Sequence, residues 1–412
     1  MSADALPVDY ADIERARERL DGSVAKQTPV ERSTSLRDRV DAAAVHLKLE
    51  HLQWTGSFKT RGAYNKISQD VADGVDEFVA ASAGNHAQGV AFAATRSDAS
   101  STVFMPETAP QAKVDATRGY GASVELVGQD FQEAMSHAQA ACEERGATFV
   151  HAYDDPDIIA GQGTLGIEMY HDCPDVDTLV IPIGGGGLIG GVSTAIKHLS
   201  PETRVVGVQA TGAETVHESL DKGIPVTLDD VDTIADGIAT GGISETTLDL
   251  IRQNVDEVVT VSDTEIATAI LFLMERAKQV VEGAAAAPVA AVLGDRLDVS
   301  GEAVMPLLCG GNLDMTQLQT VLVHALTRRQ KILRLRVRID DRPGKMQHIS
   351  GIIAEKGANI HDVRHDRSVN ELAVGEADLV FRVEAGGVEH ARSIIEAVEA
   401  AGYPVENLAT SR

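Results

Sequence analysis

Six short apolar runs, at residues 44–49, 78–81, 102–105, 123–127, 178–183 and 205–208, alternate with segments of helical periodicity such as 87–95, 131–144 and 189–199. Runs that are apolar throughout lack the in-and-out alternation of a sheet with one wet face. They belong to strands covered on both sides, and the helices between them supply the crossovers of a parallel sheet. The chain is therefore expected to be α/β, with its ligand beyond the carboxyl ends of the strands. An amphipathic segment, 12–20, precedes the first run.

The texture changes at Arg328-Arg329-Gln330-Lys331. Leu333, Leu335, Val337 and Ile339 alternate with Arg334, Arg336, Arg338 and Asp340, the period of a half-exposed antiparallel strand. A turn at Asp341-Arg342-Pro343-Gly344 leads to a helix (about 345–356), strands (about 359–366 and 376–384), a helix (about 388–401) and a last strand (about 403–408). That βαββαβ order is ferredoxin-like. Residues 1–327 and 328–412 are thus expected to form separate domains.

Charge narrows the partners. The net charge is −26, and residues 1–330 hold 24 Lys+Arg against 49 Asp+Glu while residues 331–412 hold 12 against 13. A field of that sign repels phosphate backbones and anionic lipid, so neither nucleic acid nor membrane is expected as a partner. Lysines number 11 against 25 arginines. Such acidity suits a salt-rich cytoplasm, where screening relieves self-repulsion, although a merely acidic protein has the same composition. No stretch approaches the ~18 to 20 apolar residues of a membrane span. The N-terminus lacks the basic and apolar pattern of a leader, and three cysteines make no disulfide framework, so a cytoplasmic location is expected.

Four segments carry chemical character. In Trp54-Thr55-Gly56-Ser57-Phe58-Lys59-Thr60-Arg61-Gly62-Ala63, Lys59 is flanked by the aromatic ring of Phe58 and by small residues, a setting for an amine that forms an imine with a carbonyl. Ser82-Ala83-Gly84-Asn85-His86-Ala87-Gln88-Gly89 follows the run 78–81 and opens a helix, so its N–H groups and hydroxyl can face an anion such as a carboxylate. An ordinary N-cap reads the same way. Gly184-Gly185-Gly186-Gly187-Leu188 lies between the run 178–183 and the next helix, where a bare backbone can wrap a phosphate. It has neither a Walker lysine nor a dinucleotide fingerprint. Leu308-Cys309-Gly310-Gly311-Asn312 is a turn whose cysteine could equally be an inert buried thiol.

In this order the segments resemble those of the threonine dehydratases, within the fold-type II (tryptophan synthase β-like) enzymes that use pyridoxal 5'-phosphate. The resemblance spans nearly the whole chain, because Asp341-Arg342-Pro343-Gly344 and Gly357-Ala358-Asn359-Ile360 are similar to an ACT regulatory domain. It implies two open α/β subdomains, the smaller inserted at about 50–155. It further implies that Lys59 carries the cofactor as an imine and removes the substrate Cα proton, with Phe58 packed beside the ring. Asn85 would bind the phenolic oxygen, and Ser82, Gly84, Asn85 and His86 would surround the substrate carboxylate. Gly184, Gly185, Gly186, Gly187 and Leu188 would hold the phosphate. Cys309 would face the pyridine nitrogen, Glu282 would lie near the ring, and Gly237 and Ala239 would line the pocket.

A thiol of ordinary pKa about 8.5 is a weaker partner for that nitrogen than a carboxylate, which favours β-elimination. The implied reaction converts L-threonine, and also L-serine, into a 2-oxo acid and ammonia. Serine racemases use a serine where this chain has Ala83, and an acidic pair where it has Gln209 and Thr215. Racemisation and a divalent metal are therefore disfavoured. His361 and His365, four apart on a strand, would stand ~13 Å apart and share no ion. A β-replacement enzyme of the same fold and a non-catalytic amino-acid sensor are the remaining alternatives. Asp341, Gly344, Asn359 and Ile360 match a regulatory ligand loop for isoleucine or valine, and a homo-oligomer (dimer or tetramer) is expected.

Overall fold

The computed structural model describes residues 6–20, 22–367 and 372–408. The chain divides into two units, Met1–Leu313 and Asp314–Arg412.

In the first unit a six-stranded sheet runs in the order Val30–Arg32, Ala44–Lys48, Ala303–Pro306, Thr178–Pro182, Arg204–Ala210, Glu257–Val261. Its neighbours are parallel except at Val30–Arg32, which pairs antiparallel at the edge. Leu179, Val180 and Ile181 are buried together with Val205, Val206 and Val208, so both faces of these strands are covered and their unbroken apolar runs are accounted for. At the edge, Glu31 and Arg32 are exposed, as an unpaired strand border requires. A second, four-stranded parallel sheet has the order Ser123–Leu126, Ser100–Met105, Glu77–Ala81, Thr148–Phe149.

Glycines decide how closely the helices approach. A Cβ on Gly191, in helix Gly187–Leu199, would lie 2.3 Å from Ile159 O of helix Pro156–Asp172, and one on Gly166 would lie 2.8 Å from Val192 O. On the other side of Pro156–Asp172, a Cβ on Gly161 would come within 2.6 Å of Gly62 Cα in helix Lys59–Ala72. Backbone touches backbone along this series, so the start of the Lys59 helix and the start of the Gly187 helix are held at a set separation.

Helix Met315–Arg328, whose side Leu318, Val321, Ala325 is buried, falls in the second unit. Four antiparallel strands follow in the spatial order Asn359–Asp366, Glu376–Glu384, Ile332–Asp340, Val405–Asn407, with helices Lys345–Glu355 and Val388–Ala400 completing βαββαβ. Leu333, Leu335, Val337 and Ile339 point into a core with Ile349, Ile353, Leu379, Phe381 and Ile394. No helix among the described residues is long and apolar enough to cross a membrane.

Candidate active site

Lys59 is the first residue of its helix, and the chain just before it lies antiparallel to residues 309–312. Phe58 N–H donates to Cys309 O (3.1 Å), Gly311 N–H donates to Gly56 O (2.9 Å), and Ser57 bridges to Gly310. The first turn is clamped from below by Arg61. Its guanidinium donates Nε to Glu50 Oε1 (2.7 Å) and Nη2 to both Glu50 Oε2 (3.1 Å) and Glu168 Oε2 (2.7 Å). Lys48 Nζ continues the network to Glu168 (2.5 Å), Asp172 (2.8 Å) and Thr28 O (2.7 Å). Lys48, Glu50 and Arg61 are all buried, so the pairing and the hydrogen bonds must offset a large desolvation cost. The two neighbouring carboxylates push the Arg61 pKa up despite burial.

The Lys59 amine donates to Ala152 O (2.7 Å) and lies 5.2 Å from the Phe58 ring centroid. The residue keeps some accessible surface, yet burial of the amine lowers its pKa to about 8, against the pull of Cys309 and Glu282. Cys309 is 2% exposed, and burial, with Glu282 nearby, holds its thiol well above the ordinary range, so it stays protonated. Burial also raises Glu282 to about 7, although its carboxylate accepts from Asn85 Nδ2 (2.8 Å).

The Ser82 segment lies where expected, at the start of helix Asn85–Arg96, with Gly84 as N-cap. Ser82 Oγ accepts from Gly84 N–H (3.1 Å), and a Cβ on Gly84 would meet nothing within 4 Å, so this helix end faces open space. His86 is more deeply placed than a carboxylate contact requires. It is buried, its Nε2–H donates to Val150 O (2.8 Å), and burial next to Lys59 lowers it to about 3. That imidazole is neutral.

The Gly184 turn follows strand Thr178–Pro182, and Gly186, at φ +90°, is the N-cap of Gly187–Leu199. Its glycines answer to protein neighbours as well as to a ligand. A Cβ on Gly185 would lie 2.3 Å from the Tyr153 ring, one on Gly187 3.0 Å from Tyr153 Cβ, and one on Gly186 2.7 Å from Thr247 Cβ. Leu188 is buried. Gly237 and Ala239 are brought to the same place, since a Cβ on Gly184 would lie 3.1 Å from Ile238 Cα, and one on Gly237 2.9 Å from Glu282 Oε1.

Pyridoxal phosphate fits these residues. An amine of lowered pKa could anchor it, the helix N-terminus behind the glycine turn could take its phosphate, and the open end at Gly84 could take a substrate carboxylate. Ser57 Oγ and Thr55 Oγ1, buried within four residues of Lys59, have no hydrogen-bond partner among the described residues, which leaves polar capacity for a bound group.

Sequence reasoning passed over Tyr153 and His151, and it gave no role to Asn312 or Arg61 although both stand inside the segments singled out. The ring of His151 stands edge-on to Tyr153 (4.8 Å), and its Nδ1 accepts from Asp154 N–H (2.8 Å). The run Asp154-Asp155-Pro156 after these rings announces a helix start, and that was the one available signal. Gln209 is spent on its own turn, donating to Ala213 O (3.1 Å) and accepting from Thr215 N–H (3.1 Å) and Val216 N–H (2.9 Å).

In the second unit the four residues of the expected regulatory loop separate into two places. Asp341 accepts from Arg367 Nε (2.6 Å) beside His365, and Gly344, at φ +91°, starts helix Lys345–Glu355. Asn359 and Ile360 begin their strand at the opposite end of the sheet, since Asn359 pairs with Glu384, which pairs with Ile332. His361 faces Glu384.

Residues 23–310 match the family model described as pyridoxal-phosphate dependent enzyme. The L-threonine ammonia-lyase of Geobacter sulfurreducens is 45% identical over 88% of this chain and 91% of its own length. That of Thermotoga maritima is 43% identical over 97% of this chain and 99% of its own. The solved structure of the processed threonine deaminase isoform 2 of Solanum lycopersicum superposes with a TM-score of 0.73 at 36% identity, covering 76% of this chain and 86% of that one. Lysine, glycine turn and helix end thus stand in a chain that belongs to the pyridoxal-phosphate-dependent enzymes, in the family of the L-threonine ammonia-lyases.

Proposed function

We propose that this chain deaminates L-threonine to 2-oxobutanoate and ammonia, and L-serine to pyruvate and ammonia, by β-elimination. The observation that carries the reading is the Lys59 amine of lowered pKa, which donates to Ala152 O (2.7 Å) next to Tyr153, the ring that lies against the Gly184 turn. Bound pyridoxal phosphate supplies the electron sink that accepts the pair left when the substrate Cα–H bond breaks. Lys59 Nζ would hold the cofactor and take the substrate Cα proton, and a pKa near 8 lets it do so close to neutral pH. The backbone N–H of Asn85 at the helix start, with the Ser82 hydroxyl that accepts from Gly84 and keeps its own proton to donate, would orient the substrate carboxylate. The backbone from Gly184 to Leu188 would hold the phosphate, and Asn85 would donate to the phenolic oxygen. Cys309, kept protonated, offers the pyridine nitrogen a neutral neighbour, which suits prompt elimination. Ala83, in place of a hydroxyl, leaves Lys59 as the base on one face, in keeping with elimination over racemisation.

The C-terminal unit is read as an ACT domain that binds isoleucine or valine and shifts activity through a difference in affinity between two states. If removing residues 331–412 left an isoleucine response intact, that assignment would be wrong. A cytoplasmic homo-oligomer with a role in isoleucine formation completes the reading, and the chain's three cysteines, all free, accord with a reducing compartment. The catalytic reading is tested by treating the purified protein with borohydride and mapping the labelled peptide. Label on Lys59 is expected, and an unlabelled protein without visible imine absorption would refute it.

A further inference from the structure

We infer that Asn312 is a positioning residue that sets which way the Asn85 amide faces. Amide oxygen and nitrogen are interchangeable in shape, so their orientation has to be deduced from partners that can only donate or only accept. One such partner is present. Thr55 O is a backbone carbonyl and accepts only, and Asn312 lies 2.7 Å from it, so the atom facing Thr55 is Asn312 Nδ2. The second hydrogen of that nitrogen points to Asn85 at 2.8 Å, so the Asn85 atom on that side is Oδ1. Gln88 Oε1, at 3.4 Å, is a weaker third acceptor.

Asn85 Nδ2 is then turned to the other side, where it donates to Glu282 Oε1 at 2.8 Å. Glu282 is itself tied to the segment that carries Asn312, its backbone N–H donating to Gly310 O (3.2 Å). One N–H of Asn85 is thereby committed to Glu282, and the second is the donor left for a ligand. Reversing the Asn85 amide would set two N–H groups of Asn312 and Asn85 against each other and two oxygens at Glu282.

The space for this relay is made by glycine at two points. Gly56, at φ +73°, would place a Cβ 2.5 Å from Asn312 Oδ1, and Gly310 would place one 2.3 Å from Glu282 Oε1 and 3.1 Å from Asn85 Nδ2. Gly56 and Gly310 belong to the antiparallel pairing that also brings Lys59 and Cys309 together, so the frame around the lysine and the orientation of Asn85 share one construction. The inference rests on the cofactor reading above, in which Asn85 donates to the phenolic oxygen.

A double-mutant cycle on the full-length protein tests it, because a residue that acts only through Asn85 has nothing left to do once Asn85 is gone. The dissociation constant for pyridoxal phosphate and the position of its visible band would be measured for wild type, Asn312→Ala, Asn85→Ala and the double variant. Asn312→Ala should weaken binding about tenfold and shift the band in the same direction as Asn85→Ala. In the Asn85→Ala background it should add less than about twofold and no further band shift. Equal weakening in both backgrounds would mark a general structural role and overturn the inference, as would unchanged binding in the single variant. Should Asn312→Ala not fold, Asn312→Ser enters the same cycle with the same expected non-additivity. A wild-type protein that binds no pyridoxal phosphate would instead refute the cofactor reading on which the inference stands.

Discussion

Glu282 and Lys59 are buried titratable neighbours whose pKa values are moved toward each other, to about 7 and about 8. For Glu282 the folded pKa lies above its ordinary 4.5, so between pH 4.5 and 7 the folded chain binds more protons than the unfolded one. Stability contributed by this group therefore falls as pH rises through that window, and the loss is complete above it. Glu282→Gln keeps an acceptor for Asn85 and removes the charge. It is predicted to unfold at higher urea than wild type at pH 8, by on the order of 3 kcal/mol, with no gap near pH 4. An equal gap at both pH values would mean that titration of Glu282 is not its cause. The residues of the site that were legible in the sequence are those whose type is the signal: Lys59 beside an aromatic, the glycines of 184–187, the Ser/Gly/Asn turn at 82–85. Asn312 and Tyr153 were not legible in this way. Asn312 acts through contacts with Thr55 and Asn85, more than two hundred residues away in the chain, and Tyr153 through the face it turns to Gly185.

At the level of elements, the start of the Lys59 helix is held by charge on one side and by glycine contacts on the other. Arg61 grips both oxygens of Glu50 and also reaches Glu168 with a single guanidinium, a planar fork geometry that a lysine ammonium does not reproduce. Arg61→Ala leaves the buried Glu50 carboxylate without its cationic partner and Glu168 with Lys48 alone, and is predicted to cost about 3 to 5 kcal/mol in urea unfolding. Arg61→Lys should recover part of that loss. A cost below about 1 kcal/mol for Arg61→Ala would show that the network carries little of the local stability. The strands read from the sequence are those with unbroken apolar runs, such as 178–183, or strict alternation, such as Leu333 to Ile339. Ala303–Pro306 was missed. It has four residues and ends in proline, and it is a strand because Ala44–Lys48 and Thr178–Pro182 flank it on both sides. Helix Pro156–Asp172 was hidden for the opposite reason, since it is buried nearly all round and shows no polar stripe.

Over the whole molecule, the charge of −26 resides almost wholly in the first 330 residues. Self-repulsion of that size favours expansion of the chain at low ionic strength and is screened by salt. We predict that the midpoint of thermal unfolding rises as potassium chloride is raised from 0.1 M to molar concentrations, and no rise would remove the case for a salt-adapted protein. The same global view joins the chemistry to the fold. The Gly187 helix and the Lys59 helix are tied through Pro156–Asp172, so the Gly184 turn and the amine are parts of one packed body. The most direct test is steady-state release of 2-oxobutanoate from L-threonine by the purified protein supplied with pyridoxal phosphate, wild type against Lys59→Ala. Release by the wild type and a loss of at least about a thousandfold in the variant is the predicted result. Equal release by both, or none from the wild type, would contradict it.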